Sequence, residues 1–172
     1  IEGLLRSITH SSKIAVENPN DYEARSNLMW SSTVALNSLL GLSKTQDWEV
    51  HMIEHQLGAY TDCAHGMGLA AISLPYYRHI YKFGLDKFVR FAKQVWSVDD
   101  SGKTKEEVAL EGLRVMEKFI KECGIVTSLK ELGATQEMLP LIANSTVILN
   151  GGYKTLTPEE ILDILKTAYK AD

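Results

Sequence analysis

Helix punctuation constrains this chain more than any other feature of its sequence. Stretches with apolar residues at helical spacing alternate with starts and stops that side-chain chemistry enforces, and no stretch sustains the two-residue alternation of a half-buried strand. Apolar positions 1, 4, 5 and 8 begin a helical stripe running from Ile1 to about Val16. Asn18-Pro19-Asn20 stops it, because proline excludes α geometry from the residue before it. Asp21 to about Leu40 repeats the pattern at 24, 28, 31, 35 and 39, with Gly41 as the stop. Asp47 is suited to cap a helix running to about Ala59. His65 to Leu74 is small and apolar on most sides, as a buried helix is, and Pro75 is expected to bend or end it. Amphipathic segments follow over about 84–96, 104–122 and 135–148. Thr157-Pro158-Glu159-Glu160 announces the last helix, with Thr as N-cap, Pro at the first position and Glu at the third, a capping box. Thr146–Leu149 is the nearest approach to a strand and is short. The expected fold is an all-α bundle of about seven or eight helices, with residues 1–172 as a single helical domain.

Composition narrows the function. With 45% apolar and 23% charged residues the chain can bury a core without staples. A net charge of −4 with acids and bases interspersed offers no basic patch, so nucleic acid is not an expected partner. Two cysteines, Cys63 and Cys123, make no disulfide framework and point to a reducing cytoplasm. Apolar runs are only a few residues long, so no membrane span is expected. The sequence begins at Ile1 in what reads as mid-helix, which suggests part of a longer protein.

The chemistry concentrates in HMIEHQLGAYTDCAHG, residues 51–66, which holds three of the five histidines. His51 and His55 are one helical turn apart and share a face. His65 follows a turn and opens the next helix, where it can be aimed at the same point. Imidazole is the commonest protein ligand for borderline metals such as Zn2+ and Fe2+. Three alternatives stand on these residues. His51-x-x-Glu54-His55 matches the H-x-x-E-H pattern of inverted-motif zinc peptidases, in which Glu54 would be the general base of a hydrolase. The histidines could instead hold a metal for another reaction, or simply pack within a non-catalytic interaction domain. His10 and His79 lack such company and read as structural. Lys103–Glu107 reads as a solvated helix start, Met116 and Phe119 as core, and Tyr76-Tyr77 as packing at a domain boundary.

The longer run DWEVHMIEHQLGAYTDCAHGMGLAAISLP resembles the signature of the iron-containing alcohol dehydrogenases, in particular their butanol-dehydrogenase-like branch. Asp47-Trp48, His51, His55, Gly58-Ala59, His65-Gly66 and Pro75 carry the likeness. EGLLRS, NPNDYEARSNLMWSS (Asn18 to Ser32) and LTPEEILDIL extend it over essentially the whole chain. The resemblance implies that His51 and His65 bind a divalent metal, Fe2+ first and Zn2+ as the other option. It implies that His55 binds no metal but faces the substrate and the nicotinamide of NAD(P)H and relays a proton. Glu54 then becomes structural and its match to the peptidase pattern accidental. Leu42, Trp48 and the apolar helix after His65 are candidates to wall a pocket for a short-chain alcohol, although Trp48 reads more readily as a core anchor. The family completes its metal site with an aspartate and a histidine spaced D-x-x-x-H on an earlier helix, and binds most of its cofactor with an N-terminal α/β domain. No D-x-x-x-H lies upstream of the signature here, and no Gly-rich turn of a nucleotide fold is present. The expectation is the C-terminal helical domain of such an enzyme, inactive alone, whose partners are the N-terminal nucleotide-binding domain and, as is common in the family, a second copy in a homodimer.

Overall fold

In the computed structural model, residues 1–170 are described, and among them the regular structure is entirely helical: eight α-helices and two short 3-10 turns. They are α1 (Glu2–Glu17), α2 (Tyr22–Leu36), α3 (Glu49–Thr61), α4 (His65–Ile80), α5 (Leu85–Trp96), α6 (Lys105–Glu122), α7 (Met138–Ser145) and α8 (Pro158–Tyr169). Thr146 leaves α7 in extended geometry, but the segment after it pairs with nothing as a strand. The chain divides into two compact units, Ile1–Thr45 with Leu85–Cys123, and Gln46–Gly84 with Gly124–Asp172.

The first unit contains α1, α2, α5 and α6. Helices α5 and α6 pack so closely that a methyl group on Gly112 would stand 2.4 Å from the Ala92 Cβ and 2.8 Å from its Cα. Ala92, Val98 and Val108 form a core cluster there, flanked by Val89, Trp96 and Val115. Phe119 is partly buried with its ring 5.5 Å from that of Trp96. Thr104 and Glu107 close a capping box at the start of α6, so the Lys103–Glu107 charge run is the solvated helix start expected. Helix α2 ends at Leu36, short of the expected Leu40, and a 3-10 turn over Leu39–Gly41 follows a left-handed Ser38. Ala24 and Ser31 are buried, whereas Met29, Trp30 and Leu36 stand exposed.

The second unit contains α3, α4, α7 and α8. Its core is built from Ile53, Leu57, Ile72, Tyr76, Ile80, Leu129, Ile142, Ile161, Ile164 and Leu165, all buried. Thr157, Pro158 and Glu160 form the anticipated capping box. Asp47 is not the N-cap expected: Trp48 occupies that position without a side-chain cap bond, and the Asp47 carboxylate one residue earlier accepts the Glu49 N–H at 2.9 Å. Pro75 does not end α4, which runs five residues further to Ile80. An interior proline forfeits a backbone hydrogen bond at a cost of about 3 kcal/mol, but Leu74, Pro75 and Tyr76 are all buried, and packing of that kind outweighs the local penalty.

The segment between α7 and α8 is tied to the start of α3. The Leu149 N–H donates to the buried Glu49 carboxylate at 2.8 Å. A methyl on Gly151 would stand 1.9 Å from the Gln46 carbonyl oxygen, and one on Gly152 2.7 Å from Asp47 Oδ2. Only glycine permits so close an approach.

Candidate metal centre

Helix α3 places His51 and His55 on one face by the one-turn rule. The helix then stops on Asp62, which adopts left-handed geometry (φ 54°) while its N–H closes on the Gly58 carbonyl at 2.8 Å. Aspartate is among the few non-glycine residues that tolerate this conformation. Three residues later α4 begins at His65, so the chain has turned back within a few positions.

The result is a cluster of three imidazoles. Ring centroids lie 5.5 Å apart for His51 and His65, 5.7 Å for His55 and His65, and 6.2 Å for His51 and His55. His51 is half-buried, with the edge of Trp48 packed on it at 4.9 Å, whereas His55 and His65 are exposed. Burial, and secondarily the nearby His65 and His55 rings, hold the His51 imidazole below its ordinary pKa, with Glu54 opposing. His51 is thus a neutral imidazole near pH 7, with a lone pair free for a cation.

Glu54, which the sequence suggested was structural, is 2% exposed and hydrogen-bonded through Oε2 to Nδ1 of His65. Potential donor atoms of Glu54, His55 and His65 all lie within 4.8 Å of one another. His51 lies outside that group, with its ring centroid 5.5 Å from that of His65, and imidazole pairs of this kind suit Fe2+ or Zn2+. As placed, the Glu54 carboxylate is committed to His65 and shielded from solvent, which leaves it poorly disposed to activate a water in the manner of a peptidase base.

The other residues singled out in the sequence fall elsewhere. Leu42 is exposed and belongs to the first compact unit. His79 hydrogen-bonds Glu160 at 3.1 Å, a structural role. The Tyr76 hydroxyl donates to Asp47 Oδ2 at 2.6 Å; burial chiefly, and this bond second, push the phenol far above its ordinary pKa. That contact fixes the entrance to α3 against α4 and had no signal in the sequence beyond Asp47 itself. The Glu54–His65 bond had one faint signal, the Gly66-x-Gly68 spacing after His65.

Comparison with known proteins agrees with the geometry. The sequence profile of the Fe-containing alcohol dehydrogenase family, C-terminal, matches residues 2–169. The NADH-dependent butanol dehydrogenase A of Clostridium acetobutylicum is 37% identical over 173 residues, spanning 98% of this chain and 44% of that protein. The NADPH-dependent aldehyde reductase YqhD of Escherichia coli is 28% identical over 82% of this chain. The crystal structure of a butanol dehydrogenase A from Thermotoga maritima superposes with a TM-score of 0.90 at 33% identity, covering 98% of this chain and 45% of that one. The chain thus spans less than half the length of these relatives, and no helix among its described residues is long and apolar enough to cross a membrane. The helical fold, the histidine cluster and the match over residues 2–169 place the chain in the Fe-containing alcohol dehydrogenase family, as its C-terminal region.

Proposed function

We propose that this chain is the metal-holding helical part of an NAD(P)-dependent alcohol dehydrogenase that interconverts small alcohols with aldehydes or ketones. The observation that carries the reading is the convergence of His51, His55 and His65, with ring centroids 5.5–6.2 Å apart, from two helices joined by a tight turn. His51 and His65 hold the divalent metal, Fe2+ or Zn2+, and the remaining ligands and most of the nicotinamide site come from protein outside these residues. When bound, the metal supplies Lewis acidity toward the substrate oxygen and the nicotinamide exchanges a hydride with the substrate carbon.

The chain's own residues do the rest. His51 is kept neutral by burial and offers its lone pair without a proton to displace. His55 is exposed at the end of the cluster and is the residue that carries a proton between the substrate oxygen and solvent. Trp48 meets His51 in edge geometry at 4.9 Å and covers one side of its ring. With only two of the ligands, the 172 residues alone bind metal weakly and turn over no alcohol.

The test uses the complete protein. His51→Ala and His65→Ala each abolish stoichiometric metal, measured by elemental analysis after gel filtration. His55→Ala retains metal and loses butanol oxidation. Glu54→Gln is tolerated, whereas a hydrolase would lose activity with metal retained. Unchanged metal content in His65→Ala refutes the ligand assignment. Robust NAD(P)-dependent butanol oxidation by the isolated 172 residues refutes the division of labour.

A further inference from the structure

Imidazole can meet a metal through either ring nitrogen, and which one is free depends on what the other does. On His65 the choice is already made. Nδ1 is engaged by the Glu54 carboxylate, so the ring is held as the Nδ1–H tautomer with the Nε2 lone pair outward. A carboxylate hydrogen-bonded in this way also makes the other nitrogen a stronger donor.

The seat that holds Glu54 is a built one. Glu54 is 2% exposed, and burying a carboxylate is costly unless it is paired and hydrogen-bonded, so it would not occupy this place without a partner. The space it fills exists because Gly68, three residues after His65 on α4, has no side chain. A methyl there would stand 2.8 Å from Glu54 Cγ, 2.9 Å from Oε1 and 3.2 Å from the Cys63 sulfur. Gly58 on α3 is in ordinary contact range of the same carboxylate, 3.5 Å from where its methyl would be. Glycine within a helix is less favourable than alanine, and at Gly68 that cost is offset by admission of the carboxylate.

We infer that Glu54 is the positioning residue of the metal centre, orienting His65 through Nδ1, and that Gly68 is the residue that makes room for it. The inference rests on the proposal that His65 is a metal ligand. It assigns Glu54 neither the role of a hydrolytic base nor a place among the direct ligands.

The experiment uses the complete protein and Zn2+ as probe, with three readouts: affinity by competition with a chromophoric chelator, coordination by X-ray absorption at the zinc edge, and the His65 tautomer by 15N NMR of the metal-free protein above the imidazole pKa. Glu54→Ala is expected to weaken Zn2+ binding about 10–100-fold, to leave the coordination number of the loaded protein unchanged, and to release His65 from the Nδ1–H tautomer. Glu54→Gln, which keeps an acceptor in place, retains most of the affinity and the tautomer. Gly68→Ala touches no ligand and no acceptor, and it weakens binding in the same direction by displacing Glu54. Loss of one oxygen from the zinc shell in Glu54→Ala makes Glu54 a direct ligand and overturns the inference. Unchanged affinity and tautomer in a folded Glu54→Ala protein overturn it as well. If His51→Ala and His65→Ala leave Zn2+ binding intact, the metal-site proposal itself falls, while the tautomer readout still reports independently on whether Glu54 orients His65.

Discussion

Replacing Glu160 by glutamine probes the electrostatics that pin α8 to the rest of its unit. The Glu160 carboxylate accepts from Lys154 Nζ at 2.9 Å, from the Thr157 N–H at 3.0 Å, and meets His79 Nε2 at 3.1 Å. Lys154 is the chief reason its pKa falls from 4.5 to about 2; burial opposes, and His79 and the Thr157 N–H assist. Each pKa unit corresponds to about 1.4 kcal/mol, so the fall sets a ceiling of about 3 kcal/mol on the charge's contribution. The side chain is 25% exposed, and solvent screening brings the expected value to about 1–2 kcal/mol. Glutamine preserves the capping box, which accepts either residue at the third position, so the substitution removes the charge and little else. A depressed carboxyl pKa stabilises the fold at pH values above the unfolded pKa and ceases to do so as pH falls through the folded one. Urea unfolding followed by circular dichroism is therefore expected to show Glu160→Gln less stable by about 1–2 kcal/mol from pH 7 down to about 5. Below about pH 4.3 the gap narrows, and it vanishes near pH 2. A gap that is absent at pH 7, or that is the same at pH 5 and pH 3, refutes the reasoning.

Two further perturbations address the close approaches. Gly112→Ala gains about 1 kcal/mol of helix propensity but forces a methyl against the Ala92 backbone, and overpacking of this kind costs about 1–3 kcal/mol. Net destabilisation in a urea melt is expected, together with its relief in the Gly112→Ala, Ala92→Gly double variant. Gly151→Ala cannot be accommodated 1.9 Å from the Gln46 carbonyl oxygen, so the segment before α8 lifts away from α3. Hydrogen exchange at the Leu149 amide, whose acceptor is Glu49, is expected to accelerate at least about tenfold, the equivalent of about 1.4 kcal/mol of local opening.

Features set by neighbours in the chain were legible in the sequence, and features set by distant packing were not. Thr157-Pro158-Glu159-Glu160 announces a helix because capping is a contract among four consecutive residues, and α8 begins there. The spacing of His51, His55 and His65 reads as convergence for the same reason: one helical turn and one short loop separate them. Pro75 misleads because its penalty is local while the burial that offsets it is not. Helix α2 stops early at Leu36, although the apolar spacing continues to Leu39, because a left-handed Ser38 turns the chain. Glu49 and Leu149 are a hundred positions apart, and nothing near either residue names the other. Glu54 lies between these cases, since its place on the His51 face was visible but the glycine across the helix pair that seats it was not.

The left-handed turn at Asp62 has a consequence for assembly. All three imidazoles and the carboxylate that orients one of them belong to residues 51–65, one helical hairpin closed by Asp62, Cys63 and Ala64. Closing so short a loop carries little entropic cost, and loop closure on this scale takes about 10–100 ns. The chain's share of the proposed metal centre is therefore a contiguous cassette, whose internal order is specified within about four turns of helix. Helices of this length are marginal alone in water, so the short-range order of the cassette is held in place by packing against α7 and α8.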